Sequence, residues 1–531
     1  MTVSTPGTGG FTRRGALLLA AIVALGFGLR CVGLSTSFWI DEVDTLVTIV
    51  RQPLATIVTS YGSENQHPLY SVLARIAVVA LGETEVALRL PALLFGVLSL
   101  WAVARLGRQL LDETTGLLAA LLLCVSAHHV WFSQNARGYT GMLLFTVLAS
   151  SEFLRLVEVP APGAPAGGRS VRAAARYALF AALAAYTHLT AVFAFAGHGL
   201  VWLLLAWRDR RDRGRRAGAG AAEPGSAANP AAALIDCTAL PAARALPAAL
   251  WAMVAAAVLA LLLYAPLLAD LQAAFTARAT GAGVKVAKVE PWTDPRWLVT
   301  QVFSSLGGSL PALLAVAAAA ALVAAGIVSL WRNGRRRFVL MHLLAPPLAL
   351  LVLLALRRHL YPRFFFFEAG FAAIALVRGA RISGGFLSCS LPGCKVGRTQ
   401  RWGIAVALLV AAGSAWSLER VYAHPKQDFV GARDFVVARA APGDAFVAVG
   451  PAKLALPGWY APDWKIADSA AELAAIRAAA ATTWLVYTLP EQLAAARPDV
   501  WAVVQAEFEP VAEFAGSMGG GIVFVVRARA R

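Results

Sequence analysis

Three carboxylates, Asp41, Glu42 and Asp44, stand together in the run Trp39-Ile40-Asp41-Glu42-Val43-Asp44. The run follows closely on an apolar stretch, Gly15 to Val32, long enough to cross a bilayer. Acids placed there face water at the membrane surface, where they can do chemistry without entering hydrocarbon. Their oxygens suit Mg or Mn as ligands. The plainer reading is a solvated helix start whose acids complement the helix dipole.

Other polar residues share that side of the chain: His67, Arg89, Arg137 with Tyr139, His188 and Arg363, each at or just beyond the end of an apolar stretch. Polar groups converging at one interface of a helix bundle suit an amphiphilic substrate. Taken singly, Arg89 and Arg363 fit snorkelling helix ends, and His188 fits a capping or packing histidine. His128 and His129 lie near the same interface without an assigned role.

The elements that must hold these residues follow from composition. Of 531 residues, 59% are hydrophobic and 15% charged, and the apolar residues lie in long blocks, which makes a polytopic α-helical membrane protein. Eleven apolar windows of roughly 17 to 22 residues read as spans: 15–33, 89–107, 115–132, 139–157, 174–187, 189–206, 247–266, 311–331, 338–356, 364–379 and 402–418. The first is read as a retained helix, because no small-residue cleavage site follows it.

The formal charge of +17 sits in short segments between spans, as cytoplasmic loops require, and does not point to nucleic acid. Arg13/Arg14, Arg105/Arg108, Arg155 to Arg176, Arg208 to Arg216, Arg332 to Arg337 and Arg378 to Arg401 fall on one side. The positive-inside rule therefore places the N-terminus in the cytoplasm and everything after residue 418 outside.

The outer face then carries three larger pieces. Residues 34–88 hold the acidic run and an amphipathic stretch from His67 to Leu81, suited to lying in the interface. Residues 267–300 include Lys285, Lys288, Glu290, Trp292 and Asp294. In the tail, 445–449, 483–487, 510–514 and 521–526 read as strands, with helices at 470–480 and 490–505. The expected organisation is a membrane region over 1–418, with an outer loop at 34–88, and an extracytoplasmic α/β domain over 419–531.

The Ala/Gly/Pro-rich segment 217–246 reads as an inside linker. Of the five cysteines, only Cys389 and Cys394 are close in sequence, with no second pair to complete a zinc site.

Seven motifs occur in order: WIDEVD (39–44), ENQHPLYSVL (64–73), ALRLPALLFG (87–96), SQNARGYTGML (133–143), AAYTHLTAVF (184–193), YPRFFFF (361–367) and HPKQDFVGARDF (424–435). Together they resemble the bacterial glycosyltransferases of the protein O-mannosyltransferase-like family, glycosyltransferase family 39, which share the GT-C membrane fold with lipid A aminoarabinose transferase.

The resemblance implies an inverting transferase that moves a sugar from a polyprenyl-phosphate donor to an acceptor hydroxyl outside the cytoplasmic membrane. It makes Asp41 the expected catalytic base, with Glu42 beside it. Arg137 and Tyr139 match the family's Arg-x-Tyr, and Arg363 falls where an arginine is expected near the donor phosphate. His67 opens what the family usually has as His-Pro-Pro-Leu-Tyr; this chain has His67-Pro68-Leu69-Tyr70, one proline fewer. His67, Arg89 and His188 complete the expected donor-binding set.

The chemistry fits those residue types. A phosphate leaves as a stable anion without a general acid, so the enzyme needs a carboxylate to take the acceptor's proton. It also needs cations for the departing phosphate. The resemblance implies catalysis without a metal, so no cofactor is expected, and Mg or Mn beside Asp41 and Asp44 is not favoured. Acceptors in the family include lipid-linked glycans, cell-wall polymers and proteins. A transporter or flippase for a lipid-linked saccharide is the competing class, but it predicts internal repeats and broken helices at mid-bilayer. An assembly protein with a sensing tail needs no acidic loop.

Overall fold

The computed structural model describes residues 10–63, 65–157, 168–218, 245–279, 310–356, 360–389, 396–517 and 521–529. The outer-loop residues Lys285 to Asp294, most of the 217–246 segment, Cys237 and Cys394 lie outside the described residues.

Among the described residues, eight helices are long and apolar enough to cross a membrane, or nine if one bent pair counts as a span. Eleven were expected. The other two expected spans, 174–187 and 364–379, do form helices, Gly168–Thr187 and Ala369–Cys389. Arg172 and Arg176 stand in the first, Arg378 and Arg381 in the second. The second also starts late, because Pro362–Glu368 is wound as a 3₁₀ turn. Phe371, Ile374, Ala375, Val377 and Ala380 are buried, so this helix is packed inside the bundle rather than facing lipid.

The bent pair is Glu113–Cys124 and Ala127–Ser133, which meet at 66°. Breaking a helix frees backbone carbonyls that hydrocarbon cannot satisfy. Arg30, fully buried near the end of helix Arg13–Cys31, takes up those of Leu123 (3.4 Å) and Cys124 (3.3 Å). The same guanidinium meets His129 Nδ1 at 2.6 Å and Ser133 Oγ at 3.0 Å. His129 thus has a structural role, supporting the break.

Helix Pro68–Leu81 carries Pro68 in its first turn and is too short to span. Ile76, Val79 and Leu81 are exposed along it, as an interfacial helix requires.

The C-terminal part contains strands β1 (Ala445–Ala448), β2 (Lys465–Ile466), β3 (Thr483–Thr488), β4 (Phe508–Phe514) and β5 (Val523–Ala528). Their order is β2-β1-β3-β5-β4; β1 pairs in parallel with β2 and β3, while β5 runs antiparallel to β3 and β4. Four strands match the sequence reading, and the two-residue edge strand β2 was not foreseen. Pro498 splits the expected 490–505 helix into Pro490–Ala496 and Pro498–Glu507, since a proline cannot donate within a helix.

One side of the sheet packs Leu473, Leu493, Val500 and Val504 onto Val447, Leu485 and Val526. The other shares a core with the acidic loop, where Phe38, Ile40, Val43, Leu46 and Val50 are buried with Phe429, Val436, Leu456 and Trp484. Each such side chain contributes about 1.5–3 kcal/mol when fully buried. The loop that carries the carboxylates is therefore clamped between bundle and sheet. At the far end of the bundle, Arg381 pairs with Asp112 (2.7 Å), and Arg155 and Arg176 with Glu152 (both 3.0 Å).

Candidate active site

Helix Ile40–Asp44 starts at Trp39, where Glu42 Oε2 accepts the Trp39 amide at 2.8 Å. The next amide, Ile40, donates to Gln427 Oε1 at 2.7 Å. Successive helix residues turn by about 100° and residues three apart share a face. Asp41 and Asp44 accordingly line one cavity, while Glu42 points into the protein.

Glu42 is fully buried and held from several sides. Arg89 grips it with Nε (2.9 Å) and Nη2 (2.7 Å), the Ala136 amide donates at 2.7 Å, and Lys426 Nζ lies 3.1 Å away. Burial pushes this carboxyl up, but Arg89, Lys426 and the hydrogen bonds outweigh it and bring its pKa down to about 2. Burial and the nearby Arg89 charge pull Lys426 down to about 7, against the opposing pull of Glu42.

Arg89 spends its remaining donors on the carbonyls of Leu34 (2.7 Å), Thr36 (2.8 Å) and Ser37 (3.1 Å). It has no N–H left for a substrate. Glu42, expected in catalysis, and Arg89, expected in donor binding, do not line the cavity; the two form a buried clamp that fixes the loop.

Asp41 is the carboxylate that remains available, its side chain 25% exposed. Its Oδ2 lies 2.9 Å from Arg137 Nη1 and 3.9 Å from Arg363 Nη1. Arg137 is buried and backed by His67, whose Nε2 accepts from Arg137 Nε at 3.0 Å. Burial, Arg137, His188 and Arg363 hold the His67 imidazole well below its usual pKa, so it is neutral. On the ring's other side, the Gly138 amide lies 3.3 Å from Nδ1, and the Thr187 backbone is also in hydrogen-bond contact with the imidazole.

The His67 ring packs against His188 (4.6 Å between centroids) and Tyr139 (5.2 Å). His188 is brought down to about 3 by burial and the two arginines, and its Nδ1 accepts from the Thr190 amide at 3.2 Å. Neither histidine lines the cavity; both stand behind the arginine and tyrosine that do. Their expected contact with donor becomes a supporting role.

The cavity, about 1100 Å³, lies between bundle and sheet. Asp41, Asp44, Arg137, Tyr139 and Arg363 line one wall, and Trp39, His128, Trp131, Phe132 and Tyr361 add aromatic surface. Arg363 lies over the Tyr361 ring at 4.1 Å. Arg363 Nε and Asn135 Oδ1 are buried without a hydrogen-bond partner, which leaves a donor and an acceptor beside the carboxylate. Asp44 Oδ2 is taken by Asn65 Nδ2 (2.6 Å) and Ser63 Oγ (3.2 Å). Among the described residues, no group of three or more His, Cys, Asp or Glu is arranged to hold a metal ion.

Chemically, Asp41 facing two guanidiniums places a proton acceptor within an excess of positive charge, suited to a phosphate. Asn65, Asn135, Lys426 and Gln427 were not singled out from sequence, although all four fall inside quoted motifs. Of these, Lys426 and Gln427 tie the start of the C-terminal part to the acidic loop. The wall formed by the sheet had no sequence signal.

Residues 65–211 match the family described as dolichyl-phosphate-mannose-protein mannosyltransferase. No curated protein matches the chain in sequence. The chain is similar in structure to ArnT from Cupriavidus metallidurans in the apo state, at 14% identity and a TM-score of 0.51, over 97% of this chain and 99% of that one. For ArnT bound to undecaprenyl phosphate the identity is 14% and the TM-score 0.48, over 97% and 98%. For the archaeal oligosaccharyltransferase AglB from Archaeoglobus fulgidus, in complex with an inhibitory peptide and a dolichol-phosphate, they are 11% and 0.49, over 96% and 74%. The GT-C membrane fold and the mannosyltransferase-like resemblance read from the motifs are both upheld.

Proposed function

We propose that the chain is an inverting glycosyltransferase that moves a sugar from a polyprenyl-phosphate donor to an acceptor hydroxyl at the extracytoplasmic face of the cytoplasmic membrane. The observation that carries this reading is Asp41, exposed to a large cavity with Arg137 at 2.9 Å and Arg363 at 3.9 Å from one carboxylate oxygen. The match of residues 65–211 to a family whose description names dolichyl-phosphate-mannose supports a lipid-phosphate donor. Arginine-rich connections at the opposite end of the bundle support the sidedness.

In the reaction, Asp41 takes the proton of the acceptor hydroxyl as its oxygen bonds to the anomeric carbon. The bond from that carbon to the phosphate oxygen breaks on the opposite face, and the electron pair leaves with the lipid phosphate. Arg137 and Arg363 stabilise the charge that develops there, and Tyr139 shapes the pocket beside them. One displacement inverts the anomeric centre. The reading needs no metal, because guanidiniums supply the positive charge at the phosphate.

The test is transfer from radiolabelled polyprenyl-phosphate sugars in membranes holding the wild type or Asp41→Asn. Label reaching an extractable glycan or protein only with Asp41 intact is the expected result. Full turnover by Asp41→Asn would remove the base assignment, and altered sidedness of a lipid-linked sugar without transfer would favour a flippase.

A further inference from the structure

The proposed donor chemistry occupies only one wall of the cavity, and the wall built by the sheet has features of its own. After β1 the chain passes to β2 on one side, then crosses to β3 on the other. β1 and β3 run parallel, paired from Ala445–Thr483 to Ala448–Val486. In open α/β sheets, the crevice outside the carboxyl ends of two such strands is where ligands bind, since the connecting loops diverge there. Here that crevice opens into the cavity, lined by Gly450 and Pro451 after β1 and by Leu489 after β3.

Both turns are left-handed, Gly450 at φ 58° and Leu489 at φ 52°. Among the described residues Leu489 is the one non-glycine with positive φ. Holding leucine there costs on the order of 1–2 kcal/mol, and such strain gathers where a loop must present groups to a ligand. The turn leads into helix Pro490–Ala496, and Gln492 and Arg497 face the cavity. Lys453 on the same wall is neutralised by Asp468 at 2.7 Å. Arg497 forms no ion pair among the described residues. The wall thus offers the Arg497 guanidinium, which also feels the exposed Asp499 carboxylate, and an amide beside apolar Leu489 and Leu493. The volume of about 1100 Å³ also exceeds what one small ligand usually fills, roughly 300–1000 Å³.

We propose that the crevice at the carboxyl ends of β1 and β3 seats the acceptor as an anionic saccharide, its phosphate or carboxylate on Arg497 and a hydroxyl directed across the cavity toward Asp41. This rests on the transferase reading above and names its acceptor class. A neutral sugar leaves Arg497 unused.

The test is equilibrium binding of hexose phosphates and hexuronates, against the parent hexoses, to the full-length protein in nanodiscs. The wild type is expected to prefer the anionic sugars, and Arg497→Gln to weaken them about tenfold or more while its unfolding midpoint stays unchanged. Arg497→Lys should restore part of the loss. Equal affinity in wild type and Arg497→Gln would overturn the inference, as would equal binding of the neutral hexoses. So would binding of phosphatidylglycerol headgroups in place of the sugars. Failure of the transferase reading looks different: Asp41→Asn would still turn over, while the sugar phosphates kept their dependence on Arg497.

Discussion

His67 Nε2 accepts the Nε proton of Arg137 at 3.0 Å, and the other end of the same guanidinium reaches Asp41 at 2.9 Å. A buried histidine thereby sets the position of a cation that it does not itself supply. His67→Ala should leave Arg137 charged but loosely placed, and a shift of about 1 Å at a reacting centre costs up to a hundredfold in rate. Single-turnover transfer should fall by about that factor with donor affinity changed less. Because His67 is held neutral, the wild-type rate profile should show no inflection from it between pH 5.5 and 8. An inflection in that range that vanished in His67→Ala would contradict the neutral form.

Neighbouring carboxylates should fail in different ways. Glu42→Gln and Arg89→Met each break a fully buried ion pair, at a cost of about 3–5 kcal/mol. Both should lower the thermal midpoint in detergent and reduce activity through loss of folded protein. Asp41→Asn, at a partly exposed position, should keep its midpoint and lose transfer. A stable, inactive Glu42→Gln would mean that Glu42 takes part in the chemistry.

Stability should depend on pH through the same clamp. The Glu42 pKa falls from an ordinary 4.5 to about 2 on folding, so its stabilisation is complete above 4.5 and is lost as pH drops toward 2. Lys426 falls from 10.5 to about 7; between those values the unfolded chain binds the extra proton, and stability rises with pH. Thermal midpoints across both windows should show both slopes, with Lys426→Met flattening the alkaline one. An unchanged alkaline slope in Lys426→Met would place its origin elsewhere.

Much of this arrangement was legible before the structure. The acidic run, the Arg-x-Tyr pair and Arg363 sit in apolar surroundings where polar residues are costly, so their types and places carried information. Which acid faces the cavity was less plain, although the three-residue spacing of Asp41 and Asp44 gives them one helix face and turns Glu42 away. Burial decides the roles of Arg89, His67 and His188, and a sequence cannot distinguish a guanidinium that meets substrate from one saturated by its own loop. The sheet wall was illegible because Gly450, Leu489 and Arg497 are assembled by strand order. Two expected spans changed character because arginines within them shorten the apolar stretch.

Gly138, between Arg137 and Tyr139, explains why a small residue is needed inside that motif. A Cβ there would lie 2.8 Å from the Thr187 carbonyl oxygen and 2.9 Å from His67 Nδ1. The carbonyl is backbone and cannot swing aside, and the imidazole moves only by abandoning Arg137. Gly138→Ala should therefore displace the His67–Arg137 contact, costing about 1–3 kcal/mol of stability together with most of the transfer activity. Gly199, within helix Val192–Gly218 and with nothing within 4 Å of its Cβ position, provides the control, and Gly199→Ala should keep wild-type activity with a stability at or above the wild type's. Wild-type turnover by Gly138→Ala would show that the Arg137 position tolerates slack, and would weaken the case that His67 acts by holding it.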